Sequence, residues 1–109
     1  MTDPISEVWR RAEMLEVALK ECKIRGRAAA EAEQAYRVKL AETILLLREG
    51  GYPATLIGDL ARGDRDVARL KFERDCAEVV YENAQEAINV YKRQIDVLRD
   101  QIDREWKSA

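Results

Sequence analysis

Histidine is absent from this chain of 109 residues, glycine and proline are scarce at five and two, and aromatic residues make up only 6%. Without histidine, the commonest general base and metal ligand is missing. The inward Glu-x-x-His set of di-iron and di-manganese bundles is missing with it. The two cysteines, Cys22 and Cys76, have no imidazole partner for thiol chemistry. The only serines, Ser6 and Ser108, sit near the ends, which removes serine nucleophile chemistry. Gly58–Gly63 (GDLARG) lacks the lysine and the preceding strand of a phosphate-binding loop. So little glycine, proline and cysteine also excludes a sheet-rich domain and a disulfide-stapled miniprotein. No apolar run approaches the ~18 residues of a membrane span, and the opening MTDPISEVWRRAEM has no signal-peptide core. These absences predict a non-enzymatic chain with no catalytic residue, no cofactor and no metal, in the cytoplasm, with its thiols reduced.

What the chain has instead is charge. Charged residues make up 37% and hydrophobic ones 47%, a balance that favours long helices. The net charge of −2 gives no global basic field for nucleic acid. Nor does either half supply one: residues 1–49 hold nine acids and nine bases, residues 50–109 twelve and ten. The turn formers gather between Gly50 and Asp64. This predicts one helical-hairpin domain over 1–109, with an arm at 4–49, a connector at 50–63 and an arm at 64–107. Asp3-Pro4 reads as an N-cap followed by proline at the first helical position. Gly50 reads as the glycine that stops the first arm, and Asp64 as the cap of the second. Thr55 reads as the cap of a short turn inside the connector.

Both arms keep a heptad stripe for six repeats. On the first it is Val8, Ala12, Leu15, Leu19, Cys22, Gly26, Ala29, Glu33, Tyr36, Leu40, Thr43 and Leu47. On the second it is Val67, Leu70, Arg74, Ala77, Tyr81, Ala84, Ile88, Tyr91, Ile95, Leu98, Ile102 and Trp106. In an antiparallel hairpin, facing residues have numbers with a constant sum. A sum of 113 to 114 sets Leu40 opposite Arg74, Glu33 opposite Tyr81 and Val8 opposite Trp106, with large residues meeting small ones at several levels. Each arm is then roughly 65 Å long, with Cys22 and Cys76 roughly 24 Å apart, too far for a disulfide. The two cysteines are read as small buried hydrophobes. Gly26 is either a close approach of the arms or a hinge, the first being preferred.

One hairpin buries one stripe per helix, and this chain has a second. Val17, Ile24, Val38 and Leu45 on the first arm, and Phe72, Val80, Val90 and Val97 on the second, repeat one face away from the seam. A homodimer forming a four-helix bundle is the simplest use of that stripe, and a face for a different protein is the alternative. A glutamate waist (Glu31, Glu33, Glu78, Glu82, Glu86) lies beside a basic band of Lys20, Lys23, Arg25, Arg27, Lys92 and Arg93. That band is the candidate nucleic-acid surface, although no aromatic is interleaved to stack bases. Arg62-Gly63-Asp64 spells the integrin tripeptide, read as chance. At the tip, Leu56, Ile57 and Leu60 either plug the hairpin end or, with Tyr52, Asp59, Arg62 and Arg65, bind a partner.

Leu46–Gly63 (LLREGGYPATLIGDLARG), Leu70–Asp75 (LKFERD) and Glu86–Lys92 (EAINVYK) together resemble small helical proteins encoded by phages and prophages of Gram-positive gut bacteria. The resemblance covers about residues 35–106 and transfers no site residue. It implies a phage product acting inside a bacterial host cell, on DNA metabolism or on host defence. Secreted ESX-type hairpins share the size, but carry a Trp-x-Gly turn where this chain reads Gly50-Gly51-Tyr52-Pro53. The expected function is protein–protein interaction: a phage accessory or inhibitor, anti-CRISPR-like for example, docking on a host or phage protein machine. The alternatives are a nucleic-acid-associated accessory of phage recombination or replication, and a structural coiled-coil spacer.

Overall fold

The computed structural model describes residues 3–108. It is all-α, with α1 at Pro4–Glu49, α2 at Ala54–Gly63 and α3 at Arg65–Ser108. α1 and α3 are the two antiparallel arms of a helical hairpin, and their bounds match the expected ones to within a residue. α1 passes through Gly26 unbroken, so the hinge alternative does not hold. The connector is more ordered than expected: most of it is the ten-residue helix α2. Thr55 caps nothing there, since it lies inside a helix whose N-cap position is Pro53.

The turn chemistry explains these boundaries. Asp3 accepts from the Ser6 hydroxyl at 3.2 Å and from the Ile5 amide at 3.4 Å, as an N-cap should. At the other end of α1, the Tyr52 amide donates to the Leu47 carbonyl at 3.3 Å and the Gly51 amide to that of Arg48 at 3.1 Å. That is a Schellman closure, in which the residue just past the helix turns left-handed. Gly51 takes that role, with φ of +76°, and not Gly50 as expected. Pro53 follows and cannot continue the helix. Asp64 Oδ1 accepts the amides of Asp66 at 3.0 Å and Val67 at 3.1 Å, capping α3 as expected. The Asp64 amide itself closes α2 on the Ala61 carbonyl at 3.2 Å, so a single residue joins the two helices.

The chain divides into two compact units. In the unit Arg25–Val80, the end of α1, all of α2 and the start of α3 enclose a small core: Ala29, Tyr36, Thr43, Ile57, Ala61 and Val67. Thr43 satisfies its hydroxyl on the Lys39 carbonyl at 2.8 Å. The arms meet where Arg74 donates to Glu33 at 3.2 Å and lays its guanidinium 4.6 Å from the centre of the Tyr36 ring. Those numbers sum to 107 and 110, below the expected 113 to 114, and Glu33 meets Arg74, not Tyr81. A sum of 113 to 114 presumes a connector that only turns the chain; here ten of its residues form α2, with Ile57 and Ala61 buried.

The other unit, Met1–Ile24 with Tyr81–Ala109, is an antiparallel pair of helices only. Here the Arg11 guanidinium donates across the arms to Gln94 Oε1 at 3.0 Å, a sum of 105, again below expectation. The expected seam is the inward face: Val8, Leu15, Cys22, Ala84, Ile88, Ile95 and Leu98 are half-buried, whereas Leu19 and Trp106 are exposed. None of this unit's described residues is fully buried.

Candidate interaction surfaces

α2 is amphipathic at helical period. Ile57 and Ala61, one turn apart, face inward at 7% and 0% exposure. Leu56 and Leu60, also one turn apart, face out at 50% and 43%. Tyr52 is exposed beside them, and the Arg62–Asp59 ion pair at 2.6 Å rims the patch. Arg65 is exposed as well. The tip is therefore divided: Ile57 plugs the hairpin and leaves the candidate binding set, while the other two large apolar residues stay outside.

Every residue of the second stripe is exposed: Val17, Ile24, Val38 and Leu45 on α1, and Phe72, Val80, Val90 and Val97 on α3. Cys76 is exposed too, contrary to its reading as a buried hydrophobe, and Cys22 is half-buried; both thiols are free. Val90 and Val97 join Leu98, Gln94, Arg93, Glu7 and Arg11 around an open groove of about 470 Å³. Within that group Glu7 Oε2 is inaccessible and has no hydrogen-bond partner, although Oε1 lies 3.5 Å from Arg10. No heptad argument singles out that groove; its sequence signal is Glu7 and Arg11, four residues apart on the flank of the seam.

The basic band is partly spoken for. Arg27 is paired with Glu31 at 2.9 Å and Arg93 with Glu86 at 2.9 Å, while Lys20, Lys23 and Lys92 are exposed. Arg25 has contacts of its own. Three of the waist glutamates, Glu31, Glu86 and Glu33, are paired with arginine. Glu33 accepts from Arg37 at 2.7 Å and from Arg74, which holds its carboxyl below the ordinary glutamate value against partial burial. Arg74 is held more firmly protonated by Asp75, at 2.9 Å, and by Glu33. Among the described residues no cluster of three or more His, Cys, Asp or Glu is placed to hold a metal ion, and no helix is long and apolar enough to cross a membrane. No family model, no curated protein and no solved structure matches the chain.

Proposed function

We propose that this chain is a non-enzymatic protein-binding module, and that the tip helix α2 carries the contact. The supporting observation is the exposure of Leu56 and Leu60 on one face of α2, beside Tyr52, while the opposite face is packed. A short rigid helix with two apolar anchors, an aromatic and a charged rim suits a shallow apolar groove on another protein. The phage resemblance makes an accessory or inhibitor of a host or phage machine, an anti-defence factor among them, the form this module takes in a bacterial host cell. The nucleic-acid reading has less behind it, because Arg27 and Arg93 are already paired with carboxylates. The spacer reading leaves the apolar face of α2 unexplained.

The test is a tagged capture from bacterial lysate, with and without nuclease, comparing wild type with Leu56→Asp/Leu60→Asp. Both side chains are half exposed, so the double variant keeps the helices. A stoichiometric protein that survives nuclease and is lost with the variant supports the tip. Equal capture by both forms refutes it, and partners that vanish with nuclease move the function to the basic band.

A further inference from the structure

We propose that a second copy of this chain covers one flank of the unit Met1–Ile24 with Tyr81–Ala109, in an antiparallel twofold dimer centred on the level of Glu16. This goes beyond tip binding, which a monomer can perform. Glu7, Arg11, Val90, Arg93, Gln94 and Val97 line a groove on a single flank of the arms, and its exposed Val90 and Val97 call for apolar cover. On the opposite flank of α3, Glu82, Asn89, Lys92, Asp96, Arg99 and Asp103 are exposed and polar.

The sequence along the groove flank identifies the occupant. At alternating steps of four and three, α1 presents Glu7, Arg11, Met14, Ala18 and Glu21. Reversed about position 16, Arg11 meets Glu21 and Met14 meets Ala18, and twofold symmetry makes each pairing twice. Glu21 also has a contact within its own chain, and exposed groups exchange such partners at little net cost.

α3 fits the same axis. Its flank residues Asn83, Ala87, Val90, Gln94, Val97 and Gln101 carry no charge, and about position 92 they set Ala87 on Val97 and Val90 on Gln94, while Arg93 at the groove edge is paired with Glu86. The two midpoints, 16 and 92, sum to 108, close to the 105 of the Arg11–Gln94 contact, so one axis serves both helices. The interface therefore differs from the outer stripe expected from periodicity: of that stripe's eight residues, only Val90 and Val97 line the groove.

The test is sedimentation equilibrium on the full chain. Wild type should be a dimer. Arg11→Glu and Glu21→Arg each set like charges face to face at two places, and each should weaken dimerisation by about tenfold or more. An equimolar mixture of the two variants should restore it, because in the mixed dimer the new carboxylate of one copy meets the new guanidinium of the other at one place, and the original Glu21 and Arg11 meet at the other. A mixture that re-forms dimers also shows that both variants fold. Monomeric wild type, undiminished dimers of either single variant, or a mixture no tighter than its components would each overturn the proposal. The Leu56→Asp/Leu60→Asp protein should remain dimeric, so loss of the tip partner and loss of the dimer are separable results.

Discussion

Ile57→Ala against Leu56→Ala is the sharpest test of the divided tip. The two residues are neighbours on one ten-residue helix, and only their facing differs: Ile57 is 7% exposed and Leu56 50%. Ile57→Ala removes three buried carbons, about 2.4 kcal/mol at ~0.8 kcal/mol per methylene. A cavity adds to that, and the better helix propensity of alanine returns roughly 0.4 kcal/mol, for a net loss of about 2–4 kcal/mol. At Leu56 half of the transfer term is already absent and no cavity forms, so the loss stays below about 1 kcal/mol. Urea unfolding followed by far-UV circular dichroism measures both, at one fixed protein concentration because association adds to apparent stability. Equal losses, or a loss under about 0.5 kcal/mol at Ile57, would refute the inward plug. The partner capture described above should respond in the opposite order, with Leu56→Ala the more damaging to binding.

The Glu33 cluster predicts a pH dependence with a definite sign. Arg37 and Arg74 hold the folded carboxyl below the ordinary 4.5, so its contribution is fully present above that value and is lost as pH falls through the lower folded value. Stability should therefore decline on acidification below about pH 4.5, and Glu33→Gln should flatten that decline; parallel stability–pH curves for the two proteins would show the pairing to be energetically silent. Arg74 stays charged throughout. The glycines make a second contrast. Gly51→Ala meets no neighbour but must adopt φ of +76°, and should lose about 1 kcal/mol in urea unfolding. Gly63→Ala, in open space at the end of a helix, should gain up to roughly 0.5–1 kcal/mol. A gain at Gly51 would contradict the Schellman closure.

The inward faces of the arms were legible because heptad spacing alone places Val8, Tyr36, Val67 and Ile95 on one side of their helices. The capping carboxylates Asp3 and Asp64 were legible for a similar reason: their chemistry is local. Register was not. Sliding one arm by seven residues keeps the same stripe facing the same stripe, so the periodicity that reveals the seam is blind to the slide. What breaks the degeneracy is the space taken by α2, and a connector containing Gly58 and Gly63 gives weak notice of a ten-residue helix. Likewise Gly50-Gly51 announces a stop without saying which glycine turns left-handed. At the tip, Leu56/Leu60 and Ile57/Ala61 are both one-turn pairs. The larger pair would be the natural choice for the inside, but it is Ile57 and Ala61 that are buried, Ala61 wholly so.

The distribution of burial carries the argument furthest. Among the described residues, every buried one lies in the unit Arg25–Val80, where a third helical segment gives each arm something to pack against besides the other. Two helices alone share only one stripe, and in the unit made of Met1–Ile24 with Tyr81–Ala109 that stripe stays half-buried. A long pair of helices held by such a seam is marginal in water, since most helical stability comes from packing an apolar face and not from propensity. Along the groove flank of that seam the residues are mostly alanine, valine, methionine and uncharged amides, with the self-complementary Arg11 and Glu21. The same surface on a second copy supplies the missing layer. On this reasoning the half-buried stripe is what remains visible of an interior completed by a second copy, and amide exchange should show it: protection of α1 over residues 8–22 should rise with protein concentration, while protection around Tyr36 and Val67 should not. Concentration-independent protection in both units would mean that the two-helix pair stands alone.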